Sequence, residues 1–183
     1  MTKRFIILLL ITLSLASAAY APARFSISKG SILFRSDAPL ELIKASSNEL
    51  KGIFIPEKKQ FAFKVNIKSF KGFNSPLQQE HFNENYMESD KYPSASFGGR
   101  IIEDIDFTKD GVYTVRAKGD LTLHGVVQER IIKCELTIKN GNVDVHSNFI
   151  VSLADHNISI PKVVHEKLAS EIKVEVKADL IAK

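Results

Sequence analysis

Phe61, Phe63, Val65 and Ile67 alternate with Ala62, Lys64, Asn66 and Lys68. A period of two marks a strand with one apolar face and one wet face. Ser75-Pro76-Leu77-Gln78 follows as a helix start. Ser75 can accept from first-turn amides, Pro76 loses no bond there, and Gln78 completes a capping box. Leu77, Phe82 and Tyr86 give the helix an apolar side, and Lys91-Tyr92-Pro93 stops it, because the residue before proline leaves helical space. The spacing thus predicts one short helix over 75–88. Alternation then returns through Ala95, Phe97, Gly99, Ile101, Ile105 and Phe107, with Glu103 as the exception, predicting a strand over 95–107.

Either side of this stretch reads the same way. Phe25 and Ile27 open a strand that breaks at Lys29-Gly30 and resumes over 32–35, and shorter strands are expected at 40–44 and 50–55. Asp110-Gly111 is a hairpin signal, after which Tyr113, Val115, Ala117, Gly119, Leu121 and Leu123 share one parity. The parity flips before Ile132, Cys134, Leu136 and Ile138, so a turn or bulge must lie between 123 and 131, with Gly125 as the pivot. Asn140-Gly141 is a second hairpin turn, followed by Val143, Val145, Phe149, Val151 and Leu153. A bend at 158–161, one helical turn at 165–170, and a closing strand through Ile172, Val174, Val176, Ala178 and Leu180 complete the chain.

About eight one-faced strands, short turns and one helix describe an all-β antiparallel barrel or a sandwich. The strands are long for a sandwich, and a sheet that closes buries its apolar face and loses its edges together. The expectation is a closed barrel.

Composition adds a destination. Lys3 and Arg4 precede a short apolar run and then Ala16, Ser17, Ala18, Ala19 and Ala21, the layout of a cleaved signal peptide. Residues 1–21 are read as that signal, with cleavage near Ala18, and 22–183 as the domain, exported to the periplasm or secreted. Without Lys3 and Arg4 the 25 basic residues fall to 23 against 21 acidic, so the net charge is about +2. That is too weak to imply a nucleic-acid partner. Cys134 is the single cysteine, so no internal disulfide forms, and its parity places the thiol in the core.

Several segments together resemble the YceI-like family: Ser75-Pro-Leu-Gln-Gln-Glu-His81-Phe82, then Lys91-Tyr92-Pro93-Ser-Ala-Ser-Phe97, then Gly119-Asp-Leu-Thr-Leu-His124-Gly125-Val126. Phe149-Ile-Val-Ser-Leu with Asp155-His156-Asn157-Ile158 fits the later part. The resemblance implies an exported lipocalin-like barrel, some of whose members hold a polyisoprenoid along the axis. The early segment departs from the family pattern, being broken at 45–48 and lacking the usual glycine-rich run.

Candidate chemistry is sparse. Neither a Gly-x-Ser-x-Gly elbow nor a phosphate-cradling glycine loop nor a helical His pair is present, and Asp104 and Asp106 fall on the wet parity. No catalytic residue, metal or cofactor is assigned, beyond a bound polyisoprenoid or other lipid. His81, His124 and His156 are dispersed; they either bind backbone where turns meet, touch a ligand head group, or meet around zinc. The ligand-binding candidates are the inward Phe61, Phe63, Val65, Phe97, Val115, Leu121, Leu123, Phe149 and Val151, with His81 and His124 at an end. The phenylalanines could fill the lumen; Gly99, Ala117 and Gly119 are expected to leave room in it. The leading expectation is a non-enzymatic carrier of a long-chain lipid or amphiphile. A self-packed interaction module is the alternative. Lys64, Lys68 and Lys71 form a solvated face or a transient contact with anionic membrane, and a homodimer is left open.

Overall fold

A computed structural model describes residues 24–183; the expected signal segment and its cleavage point lie outside them. Nine antiparallel strands form one sheet: β1 (Phe25–Asp37), β2 (Leu42–Ser47), β3 (Lys51–Ile55), β4 (Gln60–Asn66), β5 (Ser94–Ile101), β6 (Gly111–Leu123), β7 (Val126–Lys139), β8 (Asn142–Ser152) and β9 (Glu171–Ala182). The order is β2-β1-β3-β4-β5-β6-β7-β8-β9, and β9 returns to pair with β1. Eight strands therefore close a ring. The extra strand, β2, prolongs the line of β3 along the same edge of β1, pairing with residues 32–37 where β3 takes Phe25 and Ser26.

The first strand is continuous, not broken. One extra residue, Ser28, enters against β9, since Ile27 faces Leu180 and Lys29 faces Asp179. That bulge moves the inward set from odd to even numbers, so Phe25 and then Ile32 and Phe34 face the interior. Asn48 to Leu50 forms the break between β2 and β3, while Ser46 and Ser47 lie inside β2.

Strand β5 ends at Ile101, six residues short of the expected 107. Glu103 is the reason: its carboxylate accepts from the Arg116 amide at 2.6 Å and from the guanidinium at 2.7 Å, which turns the chain away. Asp106 then accepts from the Thr108 amide and hydroxyl. Residues 102–110 are thus a loop, although Ile105 and Phe107 still pack on the core. The two-residue turns are elsewhere. His124-Gly125 (φ 51° and 74°) joins β6 to β7, and Asn140-Gly141 (φ 51° and 75°) joins β7 to β8. Positive φ at both positions matches the strand twist. Because the first turn is so tight, β7 starts at Val126, well before Ile131.

The helix begins where expected. Ser75 Oγ accepts from the Gln78 amide at 3.1 Å. Gln78 reaches back one residue further than a capping box, accepting from the Asn74 amide, and its amide group donates to Glu41. α1 covers Pro76–His81, then widens into a turn closed by Met87 N–H on the Phe82 carbonyl. Near the end of the chain, a tight turn at Lys162–Val164 precedes the stretch 165–170 where a helical turn was expected, and there the Leu168 N–H bonds the Val164 carbonyl at 2.9 Å to make one turn.

One seam of the barrel is incomplete. β7 and β8 pair only through residues 134–139 and 142–147. Beyond that the turn Ala154–His156 wedges between them. Arg130 Nη2 bonds the Ile150 carbonyl and Gln128 Nε2 the Asp155 carbonyl, both at 2.8 Å. These two polar residues share the inward parity of Ile132 because they lace the open seam.

Candidate ligand-binding chamber

Alternate side chains from the strands converge on an interior made of two adjoining chambers. The deep one has a volume of about 120 Å³ and the outer one about 450 Å³. Ile32, Val65, Ala95, Leu121 and Phe149 line both, at the neck where the two chambers adjoin. The far end is packed by Phe25, Phe54 and Phe107, with ring centroids 6.3 Å and 4.8 Å apart in sequence.

Of the candidate residues, Phe61, Phe63, Phe97 and Val115 line the deep chamber, and Val65, Leu121 and Phe149 the neck. Phe61 lies 5.8 Å from Phe63 and 5.0 Å from Phe97, so these rings narrow the lumen without filling it. Leu123, Val151 and His81 line the outer chamber. His124 lines neither: its ring is held between Glu88 and the His156 carbonyl. Among the described residues no group of three or more His, Cys, Asp or Glu is placed to hold a metal ion, and His81, His124 and His156 do not converge.

The glycines have a different role from the one expected. Gly99 faces Gly119 across β5 and β6, and a Cβ on either would collide with the opposite backbone. Their missing side chains let two strands approach; they do not widen the lumen.

The outer chamber owes much of its wall to residues that alternation along one strand does not reveal. Phe34, Phe70, Phe73 and Phe82 come from β1, the 70–74 link and the helix, and their centroids lie 5.0–5.9 Å apart. Beside Phe34 in the β1–β9 ladder, Val174 and Ile172 were readable from their even parity. The rim is polar on one flank, where Glu41, Gln78, His81 and Lys167 reach the chamber. An apolar tube with a polar lip suits a molecule with a long chain and a small head.

Two further groups flank this space. The Cys134 thiol lines the deep chamber, and burial pushes its pKa up, opposed by Ser147. His156 is fully buried, and its ring nitrogens meet only the backbone of Leu123 and Val126, with no well-aligned hydrogen bond. Burial pushes its imidazole below the usual range, partly offset by the nearby backbone of Leu123 and Val126.

A closed eight-stranded antiparallel barrel around an apolar interior defines a lipocalin-like fold. The chain belongs to the YceI-like family, whose domain model matches residues 21–180. Its fold is similar to a polyisoprenoid-binding domain from Saccharophagus degradans implicated in plant cell wall breakdown (TM-score 0.72, 13% identity, covering 87% of this chain and 98% of that one). It is also similar to Burkholderia cenocepacia BcnA (TM-score 0.68, 12% identity, 82% and 95%). A Campylobacter jejuni YceI protein matches less of the chain (TM-score 0.54, 19% identity, 69% and 75%). No curated protein matches.

Proposed function

We propose that this protein is an exported, non-catalytic carrier that holds one long apolar or amphiphilic molecule, an isoprenoid-like lipid, in its two chambers. The observation that carries this reading is the apolar interior, where a chamber of about 120 Å³ adjoins one of about 450 Å³ and five apolar residues line both. Burying a CH₂ contributes roughly 0.8 kcal/mol, while association costs on the order of 4–15 kcal/mol. Only a chain of a dozen or more carbons in a preformed tube overcomes that cost. The polyisoprenoid named for the S. degradans domain has that character. Loading from a membrane surface in the periplasm, or outside the cell, accords with the expected signal segment.

Mass spectrometry of organic extracts from protein purified out of its native compartment tests the proposal. A long-chain lipid near one equivalent is the expected result. Repeated recovery of none, together with no binding of a prenyl alcohol, rejects it in favour of the interaction module.

A further inference from the structure

Three apolar side chains stand in water at one end of the barrel. Val163 is 90% exposed and Leu40 67%, the two most exposed large apolar side chains among the described residues, and Leu77 is 57% exposed. They come from the turn before β9, the β1–β2 link and α1. Hydrogen bonds draw these three segments together. The Leu40 N–H bonds the Glu166 carbonyl at 2.8 Å. Gln78, next to Leu77, donates its side-chain amide to Glu41, next to Leu40, at 2.9 Å. Apolar side chains exposed singly are ordinary; three on tied segments make a surface.

That surface adjoins the outer chamber. Leu77 lines the chamber itself, as do Glu41 and Val164, the chain neighbours of Leu40 and Val163. Leu77, His81 and Lys167 line the chamber and are also exposed, so its wall reaches solvent here. The other end is packed by Phe25, Phe54 and Phe107. We propose that this end of the barrel is a docking face for a lipid surface, with Leu40, Leu77 and Val163 entering the head-group boundary.

Charge on the same segments selects the occupant. Lys162 and Lys167 flank Val163 along the chain, and neither ammonium is in an ion pair among the described residues. A lysine beside an inserted apolar tip lays its stem along the hydrocarbon and carries its charge to the lipid phosphates. Of the nearby carboxylates, Glu166 is exposed between the two lysines, while Glu41 is half-buried and held by Gln78 and Asn74. The face is distinct from that of Lys64, Lys68 and Lys71, where Lys68 already bonds Asp90. A lipid surface set here brings long chains to the exposed wall of the chamber. That consequence rests on the carrier reading, whereas the docking face rests on the exposed side chains and the charge beside them.

The chain holds no tryptophan, so one introduced indole reports alone. Val163→Trp and Leu40→Trp put it on the face. Val112→Trp is the comparison, at a site 65% exposed near the start of β6, whose other end reaches the outer chamber through Leu123. With vesicles of phosphatidylcholine and phosphatidylglycerol, the first two should emit further to the blue and be quenched by lipid brominated in its acyl chains. Val112→Trp should do neither. Leu40→Ser combined with Val163→Ser should weaken partition about tenfold or more, since each CH₂ left in water forfeits about fourfold; Tm should hold, because both side chains are exposed. No blue shift, equal shifts at all three positions, or partition that the serine pair leaves intact overturns the docking face. Binding that high salt abolishes, with the indoles still in water, assigns contact to the Lys64 face and overturns it too. So does a blue shift that needs no vesicles and grows with protein concentration, which points to a second copy. Transfer of a bound fluorescent farnesyl probe should quicken with vesicle concentration, and the serine pair should remove that dependence. Docking with transfer that ignores vesicle concentration overturns the link to the chamber. Failure of the probe to bind counts against the carrier reading, with docking still decided by the indoles.

Discussion

Gly119 faces Gly99 in the β5–β6 ladder, and a Cβ on Gly119 would run into the carbonyl of Gly98. The obstacle is main chain, which cannot rotate aside as a side chain can. Gly119→Ala should therefore destabilise by about 2 kcal/mol or more and lower Tm by at least about 4 °C. Gly141→Ala is the comparison, since its added Cβ meets nothing and only φ 75° is penalised; it should cost about 1 kcal/mol. Thermal unfolding followed by circular dichroism checks both. Equal, small effects would show that the strands can separate there.

His156 should be better replaced by phenylalanine. Its ring is fully buried with no well-aligned hydrogen bond, and phenylalanine removes that desolvation, though its ring is somewhat larger. His156→Phe should raise stability by about 1–2 kcal/mol, and its carbonyl still accepts from His124. The gain should grow toward acid. The folded-state pKa is depressed, so the native histidine's stability is complete above the unfolded value near 6.5 and drains as pH falls below it. Urea unfolding of both proteins over that range measures the difference.

The neck should set the longest chain that binds. Ala95 lines both chambers, and Ala95→Phe would place a ring between them. Each carbon kept out of the deep chamber forfeits roughly 0.8 kcal/mol, about fourfold in affinity. Titration with prenyl alcohols of increasing length should show wild-type affinity still rising where the variant's has levelled off. Parallel curves would place the chain elsewhere.

Cys134 should resist alkylation. Burial raises its pKa, so thiolate is scarce at neutral pH, and the thiol faces the deep chamber. Reaction with a thiol reagent near pH 8 should be slow in the folded protein, slower with ligand bound, and fast after denaturation. Rapid labelling of the native chain would mean that the seam beside β7 opens readily.

Acid should loosen the closure of the ring. Asp37 of β1 is bonded by Arg35 beside it and by Lys173 of β9 at 3.0 Å, and Arg35 chiefly, then Lys173, holds its carboxyl below the usual range. A lowered folded pKa gives stability that is present above the unfolded value near 3.9 and lost as pH falls through the folded one. Because the pair is exposed, Asp37→Asn should show a small effect that salt erases. Unfolding at low pH in low and high salt checks this.

Periodicity of two is local, and so are helix caps and Asn-Gly turns. The sequence by itself therefore determined which stretches are strands, which face of β4 and β6 is apolar, that Ser75 starts a helix, and that the sheet should close on itself. The Ser28 bulge and the Glu103 turn escaped because each depends on a partner strand, β9 in one case and Arg116 of β6 in the other. Only the tertiary structure decided what meets what. Ser28 lies 151 positions from the Asp179 carbonyl it bonds, and the ring of Phe34, Phe70, Phe73 and Phe82 joins segments with no common period. The same holds for the contact between Glu88 and His124, and for the glycines that let β5 meet β6. These features follow from strand neighbours and barrel closure, which are long-range terms that alternation along one strand does not encode.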